Sequence, residues 1–293
     1  MTTRYRIHLS MQYKFDQPVA AGRQLLRLSP ASIPGLQQVV SRRVTIRPKA
    51  HERRSFTDFF GTQVVEVVLP TGQTEINYDM LAEVICTGES DSFDLSAPLA
   101  DLAGQIAVVT SLASGSPHHF LVPSPRVPLV RDIADFARDV TQGAVTAREA
   151  VVALGLALHE ALAFDDQATD VDTPIDIAFG GRHGVCQDFS QIMISGLRSL
   201  GIPAAYVSGF LRTLPPPGQK KLQGADAMHA WVRAWTGGEA GWVDYDPTNA
   251  CFANRDHVVI GYGRDYSDAA PVVGMLRMGG AQTSGHAVDV EEI

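Results

Sequence analysis

The chain has 293 residues, 45% of them hydrophobic and 19% charged, and carries a formal net charge of -8. That length supplies a real core for one large or two ordinary domains, and an acidic balance without an acidic run argues against nucleic acid or an anionic membrane as a partner. No stretch approaches the roughly 18 uninterrupted apolar residues of a membrane span, and Met1-Thr-Thr-Arg-Tyr has no apolar run behind its arginine, so a cytoplasmic protein is expected.

Tyr5, Ile7, Leu9, Met11, Tyr13 and Phe15 alternate with mostly polar neighbours, the two-residue period of a half-buried strand. Further strands are expected at 24–28, 39–47, 63–69 and 82–87, with a turn at Thr71-Gly72. Residues 1–88 therefore read as an all-β domain. Its basic cluster, Arg42, Arg43, Arg47, Lys49, Arg53 and Arg54, reads as a solvated strand face, and His8 and His51 stand isolated.

The composition shifts at 88–92, and 89–128 reads as a linker and arm: a short helix at 99–105, then 117–128, where Pro123, Pro125 and Pro128 forbid helix interior. From 129 to 293 a second unit is expected. Val130, Ile133, Ala134, Ala137 and Val140 form one helical stripe, and Val151, Leu154, Leu158 and Leu162 another. Thr146 and Glu149 form a capping-box pair before the second helix, and His159 within it reads as a satisfied structural histidine. Residues 165–183 read as a loop-rich approach to GVCQDFSQIMISGLRSL.

In that stretch Cys186, Phe189, Ile192, Met193, Gly196, Leu197 and Leu200 recur at three- and four-residue steps, so a helix begins at the cysteine. The free amides and positive dipole end of a helix N-terminus favour thiolate over thiol. Cys86 and Cys251 share no short spacing with it, which argues against a disulfide framework or zinc site and leaves one reactive and two structural, buried thiols. Asp188 suits the dipole of the first helical turn, with loop anchoring or recognition of a substrate amine as its other readings.

Residues 204–211 are apolar enough for a buried strand, and 215–221 form a polar excursion, either a surface insertion or a wall of the cleft. Segments 228–235 and 241–246 read as a hairpin. If it is centred between Gly237 and Gly238, His229 faces Asp246 and Trp231 faces Asp244, whereas a longer turn moves the partner of His229 beyond 246. Strands are also expected at 256–262 and 286–290, with turns at Gly279-Gly280 and Ser284-Gly285. His257 and His286 have no evident acid or nucleophile around them.

Cysteine, histidine and acid in this order match the papain-like arrangement. The segments GVCQDFSQIMISGLRSLGIPAAYVSGF, DAMHAWVRAW and GWVDYDPTN resemble the core of the transglutaminase-like superfamily. The β-rich start, the LVPSP arm and NRDHVVIGYGRDYSDAAPVVG resemble its bacterial branch with an N-terminal domain. The resemblance implies an α+β fold, in which an N-terminal all-β domain precedes a papain-like core whose cysteine helix packs on an antiparallel sheet. It places the nucleophile on Cys186, the histidine on His229 and the acid on Asp246. One departure is Gly180, where papain-like enzymes carry an oxyanion glutamine; the Cys186 amide can supply one donor, with Gln187 a candidate for the second.

These features lead to a cysteine-dependent hydrolase acting on peptide or isopeptide amides through a thioester, needing no cofactor and no metal. Acyl transfer to an amine is the alternative reaction, and a catalytically silent peptide-binding module the alternative class. The oligomeric state is left open.

Overall fold

A computed structural model describes residues 2–20, 22–87, 93–213, 224, 226–277 and 280–293. The composition shift at 88–92, the polar excursion at 215–221 and Gly279 of the expected turn lie outside the described residues.

Six strands open the chain: β1 (Thr2–Val19), β2 (Gly22–Leu26), β3 (Gln37–Arg47), β4 (Glu52–Thr57), β5 (Gln63–Leu69) and β6 (Gln73–Thr87). The alternation in β1 becomes burial, with Tyr5, Ile7 and Leu9 inside and Arg4 and Arg6 outside. β4 was not expected. Its sequence, ERRSFT, is exposed at every position because it pairs only with β5 at a sheet edge, where Arg54 meets Glu66 at 3.0 Å. Charged side chains on such an edge discourage pairing with another chain. The basic cluster is accordingly a solvated, partly paired face, with Arg47 also bonded to Asp79.

The rest of the chain runs α1 (Leu99–Ala107), α2 (Arg131–Val140), α3 (Ala147–Ala161), β7 (Ala163–Phe164), α4 (Ile175–Gly181), β8 (His183–Gly184), α5 (Cys186–Ser199), β9 (Ala204–Leu211), β10 (Ala227–Trp235), β11 (Trp242–Asp246), β12 (Cys251–Phe252), β13 (His257–Gly263), α6 (Tyr266–Ala269), β14 (Val272–Leu276) and β15 (Gln282–Glu292). The expected capping box closes α3, with Thr146 and Glu149 satisfying each other's amides. The approach expected to be loop contains α4, whose Ile175, Ala178 and Phe179 are buried at helical spacing.

Two four-stranded sheets share the first core: β15-β1-β6-β3 and β14-β2-β5-β4. β14 and β15, which follow the second unit in the chain, thus hydrogen-bond to β2 and β1. Ser284 and Gly285, expected in a turn, lie inside β15 opposite Tyr13 and Gln12. The second unit is the antiparallel sheet β12-β11-β10-β9-β13 with α2, α3, α4 and α5 packed against it. The whole is an α+β architecture with a β-rich N-terminal region and a papain-like core.

α5 is the central element. Its expected apolar face is buried, but so are Asp188, Ser190, Gln191, Ser195 and Arg198 on its other sides. Enclosed polar groups need partners. Ser195 Oγ donates to the Pro128 carbonyl at 2.7 Å, and Arg198 donates to the carbonyls of Phe120, Ala204 and Arg264. These bonds clamp α5 to the 117–128 arm and to the start of β9, and burial pulls the Arg198 guanidinium down to about 10.

Candidate active site

Cys186 is the first residue of α5, half-buried, behind Val185 in extended conformation. The opening turn of a helix leaves its amides outside the helical ladder. The Val185 amide is taken by Asp188 Oδ2 at 2.8 Å, and the same oxygen accepts from Thr169 Oγ1 at 2.7 Å. Asp188 is completely buried, and burial raises its carboxyl above the ordinary range. Asp188 therefore anchors the loop that leads into α5. Gly184 permits this packing, because a Cβ there would lie 2.6 Å from Asp188 Oδ2. Gln187 is also spent on the loop, donating from Nε2 to the Val171 carbonyl at 3.1 Å, so the amides of the first turn are the better oxyanion donors.

β10 alternates: Ala230, Val232 and Ala234 join the core beneath the helices, while His229, Trp231 and Arg233 share the other set of positions. The structure brings Cys186, His229 and Asp246 together. His229 Nε2 donates to Asp246 Oδ2 at 2.7 Å, and the Cys186 thiol lies close enough to bear on the charge of the imidazole. This leaves Nδ1 for the sulfur. The indole of Trp231 stacks near the imidazole with ring centres 6.2 Å apart. Gly209 on β9 leaves room for that indole, since a Cβ would run into its ring.

The acid expected from the hairpin is the acid in contact, but the expected register is not observed. The pairs run from Val232↔Tyr245 to Trp235↔Trp242, which centres the turn one residue later, between Gly238 and Glu239. The loop is longer because the Thr236 amide bonds to the Gly241 carbonyl and the Gly241 amide to the Gly237 carbonyl. Asp246 consequently reaches His229 on a diagonal, a distance that cross-strand side chains span readily. Asp244 accepts from Trp231 Nε1 at 3.1 Å and pairs with Arg233 at 3.2 Å, away from the thiol.

Asp246 is fully buried and surrounded by donors. Oδ1 takes the amides of Thr248 and Asn249 at 2.9 and 3.2 Å; Oδ2 takes Asn249 Nδ2 at 2.7 Å in addition to His229. Oδ2 has a further partner that the sequence reading did not anticipate, His257 Nε2 at 3.1 Å. Four residues, 253–256, join β12 to β13 across opposite edges of the sheet. Fully extended, that link reaches about 17 Å, less than the roughly 19 Å of four strand spacings, so the sheet curls and β13 enters over the end of β11. His159, by contrast, is the structural residue expected, bonded through Nδ1 to the Thr248 carbonyl.

Burial alone would lower the His229 imidazolium, but the Asp246 carboxylate bonded to it and the neighbouring Cys186 sulfur lift it to about 10. Burial would raise Asp246, yet the bonds from His229 and His257 hold it far below the usual carboxylate range. Burial pushes Cys86 up to about 12 and Cys251, half-buried where full burial was expected, up to about 11.

His229, Asp246 and His257 also present ligand atoms within 4.8 Å of one another, close enough to bear on one cation. Ligands at about 2.0 Å from a tetrahedral metal stand about 3.3 Å apart. The observed separations of 2.7 and 3.1 Å are those of N–H···O bonds, which account for the cluster without an ion. A cleft of about 960 Å³ is lined by Ile33, Leu36, Trp231, Arg233, Asp244 and His257 among others. Neither Cys186 nor His229 lines it.

A cysteine on a helix start, a histidine beside it that is bonded to a buried aspartate, and a sheet covered by that helix make up the arrangement of a papain-like core. Residues 134–247 match the model of the transglutaminase-like superfamily and residues 5–85 that of the bacterial transglutaminase-like N-terminal region. The chain belongs to the transglutaminase-like superfamily. It is 30% identical to an uncharacterized protein of Mycobacterium leprae over 99% of both chains. It is 29% identical to one of Mycobacterium tuberculosis over 94% of this chain and 88% of that one. In fold it is similar to a crystal structure of a candidate cysteine protease from Cytophaga hutchinsonii, with a TM-score of 0.78, 21% identity, and coverage of 100% of this chain and 91% of that one.

Proposed function

We propose that the protein is a cysteine-dependent amide hydrolase acting on peptide or isopeptide bonds, with Cys186 as nucleophile, His229 as acid and base, and Asp246 as the group that orients His229. The Cys186 sulfur adds to the amide carbon, and the developing oxyanion is received by amides of the first α5 turn. The C–N bond then breaks as the His229 imidazolium gives its Nδ1 proton to the departing amine, leaving a thioester. Water attacks that thioester, His229 takes its proton, and the acid departs as the thiol is restored. The observation that supports this reading is the placement of His229 between Cys186 at the start of α5, which acts on its charge, and the buried Asp246, whose Oδ2 it meets at 2.7 Å. Hydrolysis is favoured over transfer because Asp188, the residue weighed for amine recognition, is buried in the loop anchor. Water at about 55 M prevails unless an amine is bound and oriented. Three free thiols suit a reducing compartment, which supports a cytoplasmic setting.

Limiting iodoacetamide at neutral pH should label Cys186 before Cys86 or Cys251, and Cys186→Ala should abolish turnover of any amide the protein cleaves. With millimolar primary amine present, free acid should remain the main product. Dominant amine adducts would make the protein an acyltransferase, and first labelling at another cysteine would remove Cys186 as nucleophile.

A further inference from the structure

Two histidines bond to one oxygen of Asp246, and the proposed reaction uses only one of them. We infer that His257 is a positioning residue that shares Asp246 Oδ2 with His229 and thereby moderates how tightly the carboxylate holds the His229 proton. This rests on the reading of Cys186, His229 and Asp246 as the reacting groups.

The direction of the His257 bond is fixed by its other nitrogen. Nδ1 accepts the Asn254 amide at 3.2 Å, so the ring proton is on Nε2, which must donate to Asp246 at 3.1 Å. A carboxylate offers about four lone-pair sites. Asp246 receives five N–H donors: two backbone amides on Oδ1, and His229, His257 and Asn249 on Oδ2. The donors on Oδ2 compete, and withdrawing one strengthens those that remain. The competition matters chemically because the His229 proton has to be released to the leaving amine, and an acid held too firmly releases it poorly.

His257 is also built to stay in place. It is 4% exposed, its ring meets the Trp231 indole edge-on at 5.2 Å, and the strand behind it is held from outside. Gln37 of β3 bonds the backbone of Val259 on both sides, donating to its carbonyl at 2.7 Å and accepting from its amide at 2.8 Å. Tyr5 of β1 donates to Asp256, the neighbour of His257. Among the described residues, the titratable and charged groups around His229 are Cys186 from α5, Asp246 and Asp244 from β11 with Arg233 on the latter, and His257 from β13. Substituting His257 changes one donor in that set and no net charge.

The test follows the His229 ring by NMR and Cys186 alkylation by iodoacetamide, both across pH, in the full chain, His257→Phe and His257→Gln. Neither readout requires a substrate. His257→Phe should move deprotonation of the His229 imidazolium upward by about half a unit to one unit, roughly three- to tenfold in proton affinity. His257→Gln, which places an amide N–H near Nε2, should stay close to the parent, and the low-pH limb of alkylation should hold in both. A folded His257→Phe protein with no shift or a downward one, or a Gln variant that shifts as far as Phe, overturns the inference alone. If the parent shows ordinary alkylation that is insensitive to His229→Ala, the reading of the site falls and takes the inference with it. Matching far-UV circular dichroism and thermal melts identify variants that fold; should Phe not fold, His257→Leu replaces it with the same expected shift.

Discussion

Asp246→Asn separates the acid's electrostatic role from its shape. Oδ1 is held by the Thr248 and Asn249 amides, so the substituted carboxamide keeps its oxygen there and turns its NH2 toward three N–H donors: His229, His257 and Asn249. His229 can relieve that contact by accepting at Nε2, which moves its proton to Nδ1, where it can no longer take one from the thiol. Burial, which already opposes the imidazolium, is then unopposed by the carboxylate, and the group falls from about 10 toward or below the ordinary 6.5. A fall of about three units is about three decades in the equilibrium constant between the thiolate–imidazolium pair and the neutral pair, or about 4 kcal/mol at 1.36 kcal/mol per unit, which is in the range of the two to four decades lost when triad acids become amides. The assay is kcat/KM on a responsive peptide amide, beside the rate of Cys186 alkylation at pH 7. Asp244→Asn is the control; that residue serves Trp231 and Arg233, and should cost less than about tenfold. A folded Asp246→Asn protein that retains more than about a tenth of parental kcat/KM, or equal losses at the two positions, would refute the reasoning.

The same groups set how stability depends on pH. His229 is raised in the fold, so its contribution is complete below about 6.5 and is lost as pH rises through about 10. Asp246 is depressed, so its contribution is present above the ordinary carboxylate range and is lost as pH falls below it. Urea midpoints should therefore drop from pH 7 toward pH 10.5, and Asp246→Asn should flatten that drop. Gln37→Ala should destabilise by about 2–4 kcal/mol in urea unfolding, because it strands the buried Val259 amide and the Ala31 carbonyl and leaves the Val259 carbonyl with the Ala31 amide alone. A loss under about 1 kcal/mol would mean that the strand edge finds other partners.

Local signals carried most of what the sequence disclosed. The two-residue period of β1, the Thr146–Glu149 cap and the helix starting at Cys186 each depend on neighbours within a few positions, and each is found in place. The contact of His229 with Asp246 was legible as well, although its expected geometry was not. A six-residue loop with positive φ at Gly237 and Gly241 replaced the tight turn, and the carboxylate bridges the difference diagonally. What stayed hidden depends on long-range pairing. β4 carries charges because it lies on an edge, and β14 and β15 return to strands more than 200 positions earlier in the chain. His257 looked isolated because nothing in the chain near it says that a four-residue link folds it back over Asp246.

That fold-back gives the N-terminal sandwich a physical connection to the site. β13 is an edge strand, and an unpaired edge leaves backbone groups unsatisfied and the strand free to shift. Here the outward amide and carbonyl of Val259 are taken by a single side chain, Gln37, which acts as a one-residue partner strand, while the Ala31 amide adds a second bond to the same carbonyl at 3.1 Å. Two residues before Val259 on this braced segment is His257, and one residue before that is Asp256, held by Tyr5 at 2.5 Å and by Arg212 at 3.4 Å. The placement of the second histidine on Asp246 is therefore set by groups from β1 and β3. A Gln37→Ala protein that still folds should show it, with the His229 ring titrating as it does in His257→Phe, even though Gln37 bonds to none of Cys186, His229 and Asp246.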